Sequence, residues 1–171
     1  MKRMILLSLF CLAGVVMANA QRFALIDMEY IMENFPEYQQ ANNELELASQ
    51  QYQKAVEAKA KEAEALYLAY QKAANTLSAT QRTQKEEAIV AKEREAAELR
   101  KKYFGPEGEM AQKQEALIAP IQNRIYEVVK QISTQKGYDA VIDRASATSI
   151  IFASPRIDIS NEVLARLGYS N

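Results

Sequence analysis

The chain has 171 residues and a nearly balanced charge, with 21 basic and 22 acidic side chains and no histidine. This balance argues against nucleic acid as a partner, because a protein that binds phosphates needs a net basic face. The lack of histidine and the single cysteine, Cys11, exclude most catalytic triads and transition-metal sites. We therefore expect neither an enzyme nor a bound cofactor or metal.

Residues 1–20 have the three parts of a secretory signal peptide. Residues 2–3 are basic, residues 4–17 form an apolar run, and residues 18–20 (ANA) are a small-x-small cleavage site. The apolar run is shorter than the roughly 20 residues that a membrane-spanning helix needs, and no later run matches it. We expect an exported mature chain without stable insertion in the membrane.

Cys11 leaves a lipoprotein as an alternative to simple cleavage. A lipid-modified cysteine follows small residues, whereas Cys11 follows Leu9-Phe10 inside the apolar run. We therefore favour cleavage after Ala20. The mature chain then keeps 19 of the 21 basic residues against 22 acidic ones, and it has no cysteine, so disulfides cannot hold the fold.

The mature N-terminus predicts a strand and a short helix. Arg22 to Met28 (RFALIDM) is an apolar run typical of a buried strand. Glu29 to Asn34 predicts a short helix, which Phe35-Pro36 ends because the residue before proline avoids the helical region. From Pro36, which suits the first helical position, one helix is predicted to about Leu77.

This long helix carries a single apolar stripe with a mean step of about 3.56 residues, between the values of a coiled coil and a straight helix. A helix of about 42 residues would be roughly 63 Å long, so it must project from any compact core. The stripe consists of Leu45, Ala48, Tyr52, Val56, Ala60, Ala63, Tyr67, Tyr70, Ala74 and Leu77.

The chain is predicted to reverse direction at Asn75 to Thr80 (NTLSAT), where Ser78 or Thr80 would cap the returning helix. Gly105-Pro106-Glu107-Gly108 then breaks this helix, and Lys136-Gly137 ends the next one. The first return segment has a thin stripe, which consists of Ile89, Lys92, Ala96, Leu99 and Tyr103. The second return segment has a stronger apolar face, which consists of Met110, Leu117, Ile121, Ile125, Val128 and Ile132.

The last third changes to short β-branched runs. Tyr138 to Asp143 (YDAVID) and Ser149 to Ala153 (SIIFA) predict a hairpin of two strands. Ser160 is the predicted N-cap of a final helix. Asp27 and Asp143 end apolar strands, and we expect them to cap or solvate strand ends rather than to catalyse a reaction.

Together these elements predict an α+β fold that is mostly α. Residues 36–136 form a long antiparallel helical hairpin, a coiled-coil arm, and residues 21–35 with 137–171 form a β-rich oligomerisation body. Three short strands and one small helix bury little surface. We therefore expect the sheet edges to pair with other subunits.

Three segments, RFALIDMEYIMENFPEYQQA, GYDAVIDRA and PRIDISNEVLARL, resemble the Skp/OmpH family of periplasmic chaperones. The resemblance covers the mature chain from Gln21 onward. It implies a homotrimer in the periplasm, in which the terminal strands assemble into a small β-barrel. It also implies that three helical hairpins surround a cavity that holds unfolded outer-membrane proteins without ATP.

The resemblance further implies which residues build the trimer. Two departures from the family stand out. The mature chain is slightly acidic where family arms are often strongly basic, and the Gly105 to Gly108 break is an unusual interruption, interpreted as a bend between body and arm. A lipopolysaccharide-binding role is not carried over, because its residues have no match here. The implied trimer body consists of Phe23, Leu25, Val141, Ile142, Ile150, Ile151 and Phe152.

Two local features of the arm have both a structural and a functional interpretation. Leu66, Tyr67, Leu68 and Tyr70 cannot all be buried in a two-helix hairpin and are candidate client contacts. For Tyr67 and Tyr70, packing inside the hairpin is the favoured interpretation, whereas for Leu66 and Leu68 both remain open. Gly105, Pro106 and Gly108 are a structural break and a candidate hinge.

The leading functional hypothesis is thus an ATP-independent holdase. A structural coiled-coil adaptor that binds one folded partner is the alternative, and a hydrolase is remote. The alanine- and tyrosine-rich stripe favours the holdase, because an adaptor seam should have uniform leucine or isoleucine positions.

Overall fold

The computed structural model describes residues 21–169, so the predicted signal peptide and its Cys11 lie outside the described residues. Two short 3-10 segments, Ala74–Thr76 and Pro155–Ile157, accompany the main elements. In chain order, these elements are β1 (Phe23–Ile26), α1 (Met28–Glu33), α2 (Pro36–Ala73), α3 (Ala79–Phe104), α4 (Glu109–Lys136), β2 (Ala140–Asp143) and α5 (Ser160–Leu167).

The described chain divides into two compact units. The hairpin unit comprises residues 33–125 and contains α2, α3 and the first part of α4. The body unit comprises residues 21–32 and 126–169 and contains the strands and α5. Within residues 21–169, none of the helices is both long enough and apolar enough to cross a membrane.

The hairpin reverses direction where the sequence predicts it, and Ser78 rather than Thr80 is the cap. Ser78 Oγ accepts a hydrogen bond from the Gln81 backbone N–H at 3.3 Å, and Gln81 Oε1 accepts one from the Ser78 N–H at 2.9 Å. This reciprocal pair is a capping box, which satisfies two backbone donors at once. The predicted turn is therefore confirmed.

α2 and α3 pack antiparallel along a thin seam. The buried residues of α2 and α3 are Ala41, Ala48, Ala63 and Ile89, and three of these four are alanines. Two members of the predicted stripe, Ala60 and Tyr67, are exposed. The stripe continues along the helix, but α3 covers only part of it.

The body unit contains a two-stranded parallel sheet, in which Phe23 pairs with Ala140 and Ile26 with Asp143. On its other side, β1 bridges to Asp158, and Leu25 O accepts a hydrogen bond from the Ile159 N–H at 2.9 Å. The body unit also buries apolar residues of α1, the end of α4 and α5. Its buried apolar residues are Ala24, Leu25, Ile26, Ile31, Val129, Ile132, Ile159, Val163, Leu164 and Leu167.

The predicted hairpin of strands in the last third is wrong for the single chain. Tyr138 to Asp143 supplies β2, but Ser149 to Ala153 is irregular. The chain makes a turn after β2, in which the Ala147 N–H donates to Asp143 O, and it does not return along the strand. Because a strand exists only through its neighbour, the apolar run is left without regular structure.

The prediction of Ser160 as an N-cap is also wrong by one residue. Ile159 is the cap and Ser160 is the first helical residue. The buried Ser160 hydroxyl instead accepts from the Asp27 N–H at 2.9 Å and donates to Asp158 Oδ1 at 2.6 Å. Ser160 therefore ties α5 to the end of β1, a contact that local sequence does not specify.

Candidate functional site

The apolar group near the end of α2 is partly open to solvent. Tyr67 and Leu68 are each 47% exposed, whereas Leu66 and Tyr70 are half-buried. The Tyr70 hydroxyl donates a hydrogen bond to Glu86 on α3, and this bond to a carboxylate raises the pKa of Tyr70. The group therefore presents one aromatic and one aliphatic side chain to solvent, while Tyr70 is held against the opposite helix.

Further apolar surface occurs along the same unit, at positions that the sequence did not single out. Leu47 on α2 is 60% exposed and Val90 on α3 is 54% exposed. An open groove of about 540 Å³ lies along the α2–α3 seam, at a stretch where three of the lining residues are alanines. It is lined by Gln53, Val56, Glu57, Ala60, Ala96, Ala97 and Arg100.

A ladder of alternating charges crosses the seam between the groove and the apolar group. Lys92 Nζ lies 2.8 Å from Glu95 and 3.3 Å from Glu62, and Lys59 Nζ lies 3.1 Å from Glu62 and 3.6 Å from Glu95. Hydrogen bonds from Lys59 and then Lys92 lower the pKa of Glu62, and Lys92 lowers that of Glu95. The hydrogen bonds to Glu95 and Glu62 raise the pKa of Lys92. We refer to these four residues as the charge ladder.

The Gly105–Gly108 break is closely packed on itself. The Gly105 N–H donates to Lys101 O at 2.8 Å, and the Gly108 N–H donates to Gly105 O at 2.9 Å. A Cβ on Gly105 would lie 2.4 Å from Lys101 O, and one on Gly108 would lie 2.8 Å from Tyr103 O. These glycines are therefore required because backbone atoms approach them closely, and neither has a positive φ.

Tyr52 of α2 contacts both sides of this break. Its ring stacks on Tyr103 at a centroid distance of 4.1 Å and an interplanar angle of 5°, and it meets the edge of Phe104 at 6.3 Å. Its hydroxyl donates to Glu109, the first residue of α4, which raises the pKa of Tyr52 and lowers that of Glu109. Lys102, at 3.2 Å from Glu109, is the larger cause of the lowered Glu109 pKa.

The sequence placed Tyr52 and Tyr103 on the two apolar stripes without indicating that they meet. The periodicity of each helix gives the face on which a residue lies, but only the register between α2 and α3 brings the two rings together. The charge ladder has a visible sequence signal, since Lys59 with Glu62 and Lys92 with Glu95 each lie three residues apart.

The residues expected in the oligomerisation body fall into two groups. Leu25 is buried inside the single chain at 4% exposure, and Val141 is half-buried. Ile151 and Phe152, in the irregular segment, are 100% and 85% exposed. Of the remaining members, Phe23 and Ile142 are exposed and Ile150 is half-buried.

Asp27 and Asp143 each join segments of the body unit that are far apart in the chain. Asp27 Oδ1 accepts the Tyr30 N–H at 2.9 Å and thus caps α1, while its Oδ2 pairs with Arg144 at 3.0 Å. Asp143 Oδ1 accepts the Met28 N–H at 3.1 Å. Among residues 21–169, no group of three or more histidine, cysteine, aspartate or glutamate side chains is placed to hold a metal ion.

Comparisons with known proteins agree with this architecture. A family model described as outer membrane protein (OmpH-like) matches residues 22–167. The chaperone protein Skp of Yersinia enterocolitica is 25% identical over 156 residues, which cover 91% of this chain and 92% of that protein.

A crystal structure of a candidate outer membrane chaperone (OmpH-like) from Caulobacter crescentus CB15 has the same fold. Its TM-score is 0.70 with 13% identity, and the alignment covers 86% of this chain and 83% of that one. An identity this low is informative about the fold alone. The family match, by contrast, spans most of the sequence. This chain therefore belongs to the OmpH-like family of outer membrane chaperones, proteins that are chaperones and not enzymes.

Proposed function

We propose that this protein is an ATP-independent holdase that keeps unfolded outer-membrane proteins soluble in the periplasm. The observation that carries the proposal is the incompletely covered hairpin, on which Tyr67, Leu68, Leu47 and Val90 remain open to solvent on a member of a chaperone family. Exposed apolar side chains usually mark interaction sites. The name of the Yersinia relative, a chaperone, supports the same assignment.

Weak and distributed contacts fit such a task. The exposed apolar residues are separated along the helices by charged side chains of both signs, such as those of the charge ladder. An unfolded chain would therefore meet many small apolar contacts and no continuous hydrophobic seam. Contacts of this kind hold a client without trapping it, because each one is individually weak.

The expected assembly is a homotrimer that encloses a client cavity between three hairpins. Ile151 and Phe152 are the side chains in the body unit with the most apolar surface to lose on assembly. An irregular apolar segment beside a short sheet is suited to pair with a strand of another subunit. Leu25 would support the sheet from inside its own chain, because it is already buried.

The holding of clients is tested by measuring how far the mature protein suppresses aggregation of several unrelated unfolded outer-membrane proteins. Wild type should act on all of them at near one trimer per client. The Tyr67→Ser/Leu68→Ser double variant should act less well, because it removes the exposed apolar group near the end of α2. The matched control is Glu64→Ser/Gln71→Ser, which changes two exposed polar residues of the same helix.

The alternative function is a coiled-coil adaptor for one folded partner. It would be favoured by no effect on any unfolded client together with tight binding of a single folded envelope protein. If the Tyr67/Leu68 variant and its control lose the same amount of aggregation suppression, the holdase proposal is retained, but Tyr67 and Leu68 are not client contacts.

The trimer is tested by analytical ultracentrifugation of the mature chain at micromolar concentration. Ile151→Ser/Phe152→Ser should shift the protein toward monomer, whereas Thr148→Ala/Ser149→Ala, in the same exposed segment, should not. A stable monomer in the wild-type protein would contradict the proposed assembly.

The Gly105–Gly108 break is proposed to be a hinge that lets the client cavity widen. Replacing Gly105 or Gly108 with alanine would place a Cβ against backbone atoms. Such a variant would therefore distort the break rather than stiffen it. A reversible tether is the cleaner test. Tyr52→Cys/Tyr103→Cys, in a mature chain without other cysteines, should reduce capacity for large clients when oxidised and restore it when reduced. Equal capacity in both redox states would argue against a working hinge.

A further inference from the structure

We propose that the mature chain begins with pyroglutamate, formed by cyclisation of Gln21. This inference rests on the proposed export, because Gln21 becomes the first residue only if the chain is cleaved after Ala20. A glutamine in that position carries an α-amine and a side-chain carboxamide that can close a five-membered ring. Modifications of this kind change the terminal charge and so change the local electrostatics.

The chemistry needs no partner beyond the residue itself. The unprotonated α-amino nitrogen of Gln21 attacks its own side-chain carbon Cδ, and the new N–Cδ bond closes a lactam. The Cδ–Nε2 bond breaks, and the amide nitrogen leaves with the amine proton as ammonia. An α-amino group has an ordinary pKa of about 7.7–8.0, so a part of it is unprotonated near neutral pH.

The structure holds the chain firmly from the next residue onward. The Arg22 N–H donates to Asp139 Oδ2 at 2.8 Å, and Arg22 O accepts from the Asp139 N–H at 2.8 Å. The Arg22 guanidinium donates to Lys136 O and lies 5.4 Å from the centre of the Tyr138 ring. Gln21 itself is exposed.

The ring is compatible with all of these contacts. Lactam formation consumes the amine and the carboxamide of Gln21, but it leaves the peptide N–H of Arg22 in place to donate to Asp139. An exposed terminal ring has room to form, and β1 begins only at Phe23. The sheet therefore needs no rearrangement when the terminus is modified.

Cyclisation has two consequences for the exported protein. It removes the terminal ammonium next to the Arg22 guanidinium, and so lowers the positive charge at the start of β1 by one. It also blocks aminopeptidases, which require a free α-amine. The anchored strand would otherwise start only two residues from an exposed, digestible end.

The test is mass spectrometry of the processed protein isolated from the cells that encode it. The expected mass is that of a chain beginning at Gln21 and lighter by one ammonia. The N-terminal peptide ending at Glu29 should carry the lactam, and Edman degradation should be blocked until pyroglutamate aminopeptidase is added. The Gln21→Ala variant, processed at the same bond, should keep a free amine.

Three outcomes would overturn the inference in distinguishable ways. A chain that begins at Gln21 with its full mass and a free amine would refute cyclisation and leave export intact. A chain that begins elsewhere would refute the proposed cleavage as well. An isotope-labelled synthetic peptide with uncyclised Gln21 is carried through the same preparation, and its conversion to the lactam would assign the mass loss to handling.

Discussion

At the residue scale, Tyr52 joins three segments of the hairpin unit. Its ring contacts Tyr103 and Phe104 at the end of α3, and its hydroxyl binds Glu109 at the start of α4. Stacked aromatic pairs contribute beyond the area that they bury. Tyr52 therefore braces the helix break from the opposite helix, which local sequence near Gly105 does not reveal.

Two substitutions at Tyr52 separate the ring from the hydroxyl. We expect Tyr52→Ala to lower the thermal unfolding midpoint more than Tyr52→Phe, because phenylalanine keeps the stack and loses only the hydrogen bond to Glu109. The second measurement is amide hydrogen exchange at Gly105 and Gly108, which should accelerate in Tyr52→Ala. Tyr67→Ala, at an exposed position of the same stripe, is the control. Unchanged exchange in both Tyr52 variants would show that the break is rigid without this brace.

The charge ladder predicts how hairpin stability depends on pH. Glu62 and Glu95 have pKa values lowered below the ordinary 4.5, so their contribution is complete above about pH 4.5 and is lost as the pH falls toward the folded-state values. The pKa of Lys92 is raised above 10.5, so its contribution is complete below that pH and is lost above it. Between these limits the contribution of the charge ladder should be constant.

Glu62→Gln/Glu95→Gln should therefore lower the unfolding midpoint slightly at pH 7 and flatten its decline below pH 4.5. The effect should shrink in high salt, because exposed ion pairs are weak and screened. Glu64→Gln/Glu93→Gln, two exposed carboxylates on the same helices, is the matched control. An identical pH profile in the two variants would mean that the charge ladder does not contribute to stability.

At the element scale, the start of α3 depends on one hydroxyl. Ser78→Ala removes the acceptor for the Gln81 N–H, and the loss of such a cap costs about 1 kcal/mol. We expect the urea unfolding midpoint to fall accordingly. Thr80→Ala lies two residues further, inside α3, and should have a much smaller effect. Equal effects would assign the cap to neither residue.

The helix limits illustrate what local patterns can predict. Pro36 opens α2, Ser78 caps α3, and glycines at 137 and 168, with φ values of 65° and 96°, follow α4 and α5. Each signal acts through the backbone of its own neighbourhood, so it holds whatever the rest of the chain does. The apolar stripe was less accurate, because exposure of Ala60 and Tyr67 depends on how much of α2 the partner helix covers.

At the scale of the whole molecule, the division into two units predicts that the hairpin can be shortened without loss of the body. Residues 61–94 lie beyond the Lys59–Glu95 contact, and a connection of about four residues would rejoin α2 to α3. This deletion should keep the oligomeric state of the wild type and lose most of the capacity to hold unfolded clients. An unchanged capacity would place the holding surface outside the distal hairpin.

The matched control for this deletion is the charge-ladder variant Glu62→Gln/Glu95→Gln, which alters the same region without shortening it. Sedimentation and aggregation suppression are then measured on both proteins. A change of oligomeric state in the deletion alone would show that the two units do not fold independently.

The sequence by itself determined the helical hairpin, its turn and its break, because caps, prolines, glycines and apolar periodicity act over a few residues. Only the tertiary structure decided the pairing of residues far apart in the chain. Phe23 meets Ala140 in a parallel sheet, Tyr52 meets Tyr103 across the seam, and the predicted strand at Ser149 to Ala153 is irregular. A strand or a stacked ring is stabilised by its partner, and the partner's register is not written in either segment alone.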